Sequence, residues 1–87
     1  MASSTIKNTP YNTKSKSVSV TAPAYSIGSA TISVTDAEYH LIKGFAVTDT
    51  EHLSVMQCFF SNDNTINVRV CNGASSSQTG TFTVYYC

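Results

Sequence analysis

Charge is scarce in this chain: five Lys or Arg and five Asp or Glu leave it formally neutral at pH 7, and charged residues make up 11% of the sequence. A neutral chain has no basic excess with which to displace counterions from phosphates, which argues against nucleic acid as a partner. Long apolar runs are missing as well. The longest are far too short to cross a bilayer, and MASSTIKNTP lacks the apolar centre of a signal peptide, so no membrane partner is expected and folding is assigned to a cytoplasm. Cysteine is limited to Cys58, Cys71 and Cys87, an odd number with no CxxC spacing. A secreted disulfide framework or a paired zinc knuckle would need more. The three thiols are read as small apolar groups, and no metal or cofactor is expected.

Catalytic signatures are equally absent. There is no nucleophile elbow, no glycine loop to cradle phosphate and no HExxH, and the four glycines fall at turns or singly in strands. The acid–base candidates Asp36, Glu38, His40, Asp49, Glu51, His52 and Asp63 lie where polar loops and strand edges place such residues, without a predicted pocket or partner. No enzymatic activity is expected. Ser, Thr and Asn are abundant, and the apolar set is dominated by β-branched and aromatic residues, a mixture that suits exposed sheet.

From Lys16 onward the hydrophobic period is two. Val18 and Val20 alternate with serines, and Ala30, Ile32 and Val34 alternate with Thr31, Ser33 and Thr35. Pro23 to Gly28 and Asp36-Ala37-Glu38 supply turns. YHLIKGFAV, Tyr39 to Val47, is apolar on both faces apart from Lys43 and is expected to be a central, doubly covered strand. LSVMQCFF, the turn SNDN, TINVRVC, a Ser-rich loop from Asn72 to Thr79 and GTFTVYYC complete about six strands of a small all-β antiparallel sandwich or barrel. Residues 17–87 form this domain. Residues 1–16, with Lys7, Lys14 and Lys16 and only Ile6 and Tyr11 as sizeable apolar groups, form an extended N-terminal arm that cannot build a core.

One register can be predicted. Pairing Phe60 with Ile66 across SNDN puts Met56, Cys58 and Phe60 on the face of Ile66, Val68 and Val70. Val55 and Phe59 then lie outside beside Asn67 and Arg69; a slip of one residue would bury Gln57 instead. Tyr85 joins the outer set if Phe82, Val84 and Tyr86 point inward. Val55, Phe59 and Tyr85 are therefore candidate subunit-interface residues. Because an uncharged exposed edge invites uncontrolled pairing, a chain ending on VYYC is expected to place that strand centrally or beneath a neighbour. Asn62, Asp63 and Asn72, with Tyr25 and Tyr39, offer loop groups of the kind that contact glycans.

NTINVRVCNGASSSQTGTFTVYYC, Asn64 to Cys87, resembles the closing hairpin of small β-sandwich domains in virion proteins of tailed bacteriophages. SATISVT and IKGFAV extend the likeness loosely. The resemblance implies a structural virion surface protein: either a capsid decoration protein, often trimeric, whose arm grips the shell, or the receptor- or carbohydrate-binding tip of a fibre. Met1 standing one arm before the domain fits the first better. Its implied partners are the major capsid protein or another virion protein, and two further copies in a homotrimer. Ile6, Lys7, Tyr11, Lys14 and Lys16 would be the capsid-contacting residues, and assembly would take place in the host cytoplasm.

Overall fold

The computed structural model describes residues 13–48 and 51–87, and these form six antiparallel strands in two three-stranded sheets, with no helix among the described residues. The strands are β1 (Lys14–Ala22), β2 (Ile27–Ser33), β3 (Ile42–Val47), β4 (Leu53–Asn62), β5 (Thr65–Asn72) and β6 (Gln78–Tyr86). One sheet has the order β1-β6-β3 and the other β2-β5-β4. Only β4 and β5 are both consecutive and paired. Every other connection crosses from one sheet to the other.

Alternation builds the core as the period-two pattern requires. Val20 and Ala22 of β1, Ile32 of β2, Leu53 of β4, Ile66, Val68 and Val70 of β5, and Phe82, Val84 and Tyr86 of β6 are buried between the sheets, with Val34 just beyond β2. The outward positions of β1 and β6 are Ser15, Ser17, Ser19 and Thr21 paired with Tyr85, Thr83, Thr81 and Thr79. Hydroxyl contacts of 2.8 Å between Ser17 and Thr83 and 2.7 Å between Thr21 and Thr79 link these rows.

The predicted register across the β4–β5 turn is present: Phe60 opposes Ile66, Cys58 opposes Val68 and Phe59 opposes Asn67. A bulge between Val55 and Gln57 then reverses the phase. Val55 opposes Val70 and packs on the core, whereas Met56 is 47% exposed, so the expected places of these two residues are exchanged. An extra residue in one strand flips every side chain that precedes it.

Three further expectations are corrected. The strand within Tyr39–Val47 is an edge strand, and the central place in its sheet belongs to β6. The fully buried row Phe82, Val84 and Tyr86 explains why: β6 has the apolar face that two neighbours can flank, while Phe45 of β3 remains 49% exposed and leans on Phe82 with ring centroids 5.8 Å apart. The last two strands are not a hairpin, because β5 and β6 lie in different sheets. Finally, pairing begins at Lys14, so Lys14 to Lys16 belong to β1 and oppose Tyr86, Tyr85 and Val84.

The two lateral sides of the sandwich differ. On one, β1 and β2 come so close that a Cβ on Gly28 would collide with the Thr21 carbonyl and lie 2.8 Å from Ala22 Cα. Glycine is the one residue that permits this approach. Lys16 Nζ closes the same side by donating to the Ser33 carbonyl at 3.0 Å. On the other side, β3 and β4 face each other with large groups half-exposed on both, Phe45 on β3 and Met56 and Phe59 on β4.

Candidate functional site

The loops gather at the two ends of the sandwich, and each end is fastened by one polar side chain. At the first end stands Asn72, 3% exposed at the close of β5. Its Nδ2 donates to the carbonyls of Ala22 (3.0 Å), Pro23 (3.1 Å) and Ser76 (2.9 Å), and its Oδ1 accepts from the Ala74 amide at 2.8 Å. The backbone adds Tyr25 N–H to Ala74 O at 3.1 Å, Asn72 N–H to Ser26 O at 2.8 Å and Gly73 N–H to His52 O at 2.9 Å. Three connections are thereby locked around one buried amide: Pro23–Ser26, the end of the β3–β4 loop and Gly73–Ser77. Asn72 is thus a clamp, and its expected role as a glycan contact is corrected, because both ends of its amide already have protein partners.

Tyr25 sits on this clamped end with a positive φ of 52° and 73% of its surface exposed. A non-glycine residue in the left-handed region is strained. His40, with φ 59°, provides a comparison. Its ring meets Phe60 edge-on at 5.3 Å, and its turn lets the amides of Tyr39 and Leu41 both donate to the Cys87 carbonyl, at 3.1 and 3.3 Å. His40 has a structural return for its conformation. So has Tyr25, whose turn lets Ser26 N–H donate to Pro23 O at 3.1 Å while its own amide bonds Ala74 O, although its ring is presented to solvent.

At the second end the β4–β5 turn carries Asn62 and Asp63, both exposed, with Asn62 Oδ1 accepting from the Asn64 amide at 2.8 Å. The Asn64 carbonyl accepts from Val34 N–H at 2.9 Å. Here Tyr86 fastens the β2–β3 loop: its buried ring reaches out so that the hydroxyl donates to Asp36 Oδ1 at 2.7 Å. That hydrogen bond, ahead of the nearby Lys14 and Lys16 charges, holds the Asp36 carboxyl below its ordinary value. Burial first, and then the Asp36 carboxylate, push the Tyr86 hydroxyl up to about 12. Asn62 and Asp63 thus lie at the opposite end of β5 from Asn72, and the three do not converge on one site.

The expected interface residues are also dispersed. Phe59, 40% exposed, is on the outer face of the β2-β5-β4 sheet, Tyr85, 42% exposed, is on the outer face of the other, and Val55 points inward. Alternation did not single out another exposed set: Tyr39 (49% exposed) and Leu41 (52%) lead into β3, which carries Phe45 and forms the open edge of its sheet. β3 contains one charged residue, Lys43, at a bulge between Ile42 and Gly44. A run of exposed apolar groups before and along an edge strand could have suggested this in the sequence, had the strand not been read as covered. Of the expected capsid contacts, Ile6, Lys7 and Tyr11 lie outside the described residues, Lys14 is half-buried at the start of β1 and Lys16 is exposed.

Cys58 and Cys71 are half-buried and Cys87 is buried, all as free thiols, and burial pushes the Cys58 thiol up. No group of three His, Cys, Asp or Glu that could hold a metal occurs among the described residues. No family model, curated protein or solved structure matches this chain.

Proposed function

We propose that this chain is a non-enzymatic structural protein that attaches to a larger protein assembly as an oligomer, its β3 edge forming the joint. The assembly we assign is the shell of a tailed bacteriophage, on which the chain acts as a decoration protein stabilising the capsid. One observation carries the first half: β3 is an edge strand, paired with β6 on one side only and accompanied by half-exposed Leu41 and Phe45, whereas the opposite lateral side is sealed by Gly28 and by Lys16. Natural edges are guarded by charge, bulges or cover; here Lys43 and the bulge between Ile42 and Gly44 guard the start of β3, and the stretch from Phe45 to Val47 is left for cover by a neighbour. The second half rests on the resemblance of Asn64 to Cys87 to the closing hairpin of phage β-sandwich domains, a likeness in strand pattern and turn residues that the pairing of β5 and β6 in different sheets does not share. Symmetric repetition would multiply a modest joint into stable attachment.

The test is co-sedimentation with phage shells lacking the protein, comparing the wild type with Leu41→Lys/Phe45→Lys. The wild type should pellet with shells and show density at symmetry axes by electron microscopy, and the doubly charged variant should stay in the supernatant while keeping its β-sheet circular dichroism. Equal pelleting of the two would remove β3 as the joint, and no pelleting of either would remove the shell as the partner. A companion truncation belongs after residue 12. A longer cut to Ser15 would also delete the Lys14–Tyr86 and Ser15–Tyr85 pairs and confuse attachment with folding.

A further inference from the structure

We infer that the joint is homotypic: two copies of this chain pair β3 with β3, antiparallel, about a two-fold axis at Ala46. The inference rests on the reading of β3 as a joint and names its partner, a second copy. The ladder with β6 decides which groups β3 offers. Leu41 and Cys87 exchange both of their backbone bonds, and Thr48 N–H donates to Thr81 O at 3.0 Å. Between these points Gly44 opposes Tyr85, Phe45 opposes Val84, Ala46 opposes Thr83 and Val47 opposes Phe82. Bonded and non-bonded pairs alternate along an antiparallel ladder, so Gly44, Ala46 and Thr48 direct their backbone groups to β6, and Phe45 and Val47 turn theirs to the open edge. No other edge among the described strands matches this one. β1 and β2 meet on the sealed side, and the ladder of β4 shifts at Val55/Gln57 and again at Phe60/Asn62. Gly44 to Val47 is regular backbone without a charge.

Such an edge is complementary to itself, and two conditions fix the register. Residues directly opposite one another share a face, so the axis must pass through a residue position if the inner faces are to continue across the joint. The bonded pairs must also be made by Phe45 and Val47, the residues whose N–H and C=O face outward. An axis at Phe45 would set Val47 against Lys43, inside the bulge between Ile42 and Gly44. An axis at Ala46 sets Phe45 against Val47 of the second copy, and Val47 against its Phe45, so that every outward group finds a partner on regular backbone. Phe45, 49% exposed and stacked on Phe82, then lies beside Val47 of the second copy, and the core continues through the joint. The exposed Ala46 meets its own copy on the outer face, where its small side chain causes no clash. The two Lys43 Cα atoms stand about 20 Å apart, beyond the reach of mutual repulsion in physiological salt. Two-fold closure uses up both edges and stops the assembly at a pair.

The experiment combines hydrogen exchange of the full chain, read residue by residue by 15N NMR across a dilution series, with light scattering and disulfide trapping. The wild type should have the mass of a dimer. On dilution to monomer the amides of Phe45 and Val47 should exchange at least about tenfold faster, whereas those of Gly44 and Ala46, bonded to β6, should not change. Ala46→Cys should give a disulfide-linked dimer under mild oxidation, because opposed residues of a non-bonded pair lie about 4.5 Å apart at Cα, within disulfide reach. Gly44→Cys, whose Cβ would stand in open space, should not, since its two copies lie about 13 Å apart. The wild type, with Cys58 and Cys71 half-buried and Cys87 buried, sets the background for trapping. Leu41→Lys/Phe45→Lys should be a folded monomer. A dimer that this variant abolishes but that Ala46→Cys does not trap, or that Gly44→Cys traps equally, would overturn the two-fold register and leave β3 as the joint. A dimer that the variant leaves intact would overturn both. A wild-type monomer at millimolar concentration, including one whose Phe45 and Val47 amides lose protection only when residues 1–12 are cut away, would overturn the pairing of two copies, and co-sedimentation with shells would still decide the reading beneath it.

Discussion

The Tyr86 hydroxyl and the Asp36 carboxylate, 2.7 Å apart, make stability depend on pH at both extremes. Asp36 titrates below its ordinary value in the folded state, so its contribution is present above about pH 4 and disappears as pH falls through the lowered folded value. Tyr86 is raised to about 12, so its contribution is complete below about pH 10 and disappears as pH rises from there towards the folded value. Tyr86→Phe should flatten both limbs, as read from urea midpoints between acid and alkaline pH; unchanged limbs would mean that the pair is not coupled to folding. Asn72 acts at the other end through satisfaction rather than charge. Asn72→Ala removes the amide's bonds to the Ala22, Pro23 and Ser76 carbonyls and the acceptor of the Ala74 amide, and should lower stability by about 3 kcal/mol in urea denaturation. Neither role was legible in the sequence. An Asn at the end of a strand before Gly-Ala-Ser looks like turn chemistry, and only the meeting of three separate loops makes it a clamp.

Among the strands, alternation made the core residues of β1, β2, β5 and β6 readable, because each has a single phase of Val, Ile or Phe against Ser, Thr or Asn. In β4 it failed for a definite reason. Leu53 and Val55 have one phase and Cys58 and Phe60 the other, and two phases in one strand require an inserted residue; Met56 is that residue. Because Val55 and Met56 are both apolar, polarity alone could not locate it. The order of strands was hidden for another reason: the apolar content of Ile42–Val47 reflects an open edge, which one chain's pattern cannot distinguish from a covered centre. The closing pair was misjudged because the Ser-rich loop between β5 and β6 is long enough either to turn or to cross, and the burial of Asn72 fixes the crossing. At the sealed side, Gly28→Ala would force the β1 and β2 backbones apart, and we expect a loss of about 3 kcal/mol or failure to fold, measured by thermal and urea denaturation. A fully stable alanine variant would show that the two strands have room to separate.

For the molecule as a whole, asymmetry between the lateral sides is the main property. A single apolar edge gives each copy one adhesive side and one inert side, which favours a closed pair over open-ended stacking. Light scattering should therefore give a defined oligomer mass for the wild type and the monomer mass for Leu41→Lys; a wild-type monomer at high concentration would leave β3 without a partner of its own kind. The Tyr25 end and the Asp36 end lie at opposite ends of the strands, so a copy joined through its side keeps its loop ends clear of the joint.

The pairing of β1 with β6 has a mechanical meaning. Lys14 opposes Tyr86, and the register runs inward from there to Ala22 and Gln78. A pull applied at the outer ends of these two strands, between an anchored segment before Lys14 and a point held near Tyr86, would load that one pair first. The ladder would then open rung by rung like a zip, at low force, instead of resisting as a block in shear. A grip applied at the β3 side would instead load the sandwich across its packed core, which is the stronger direction.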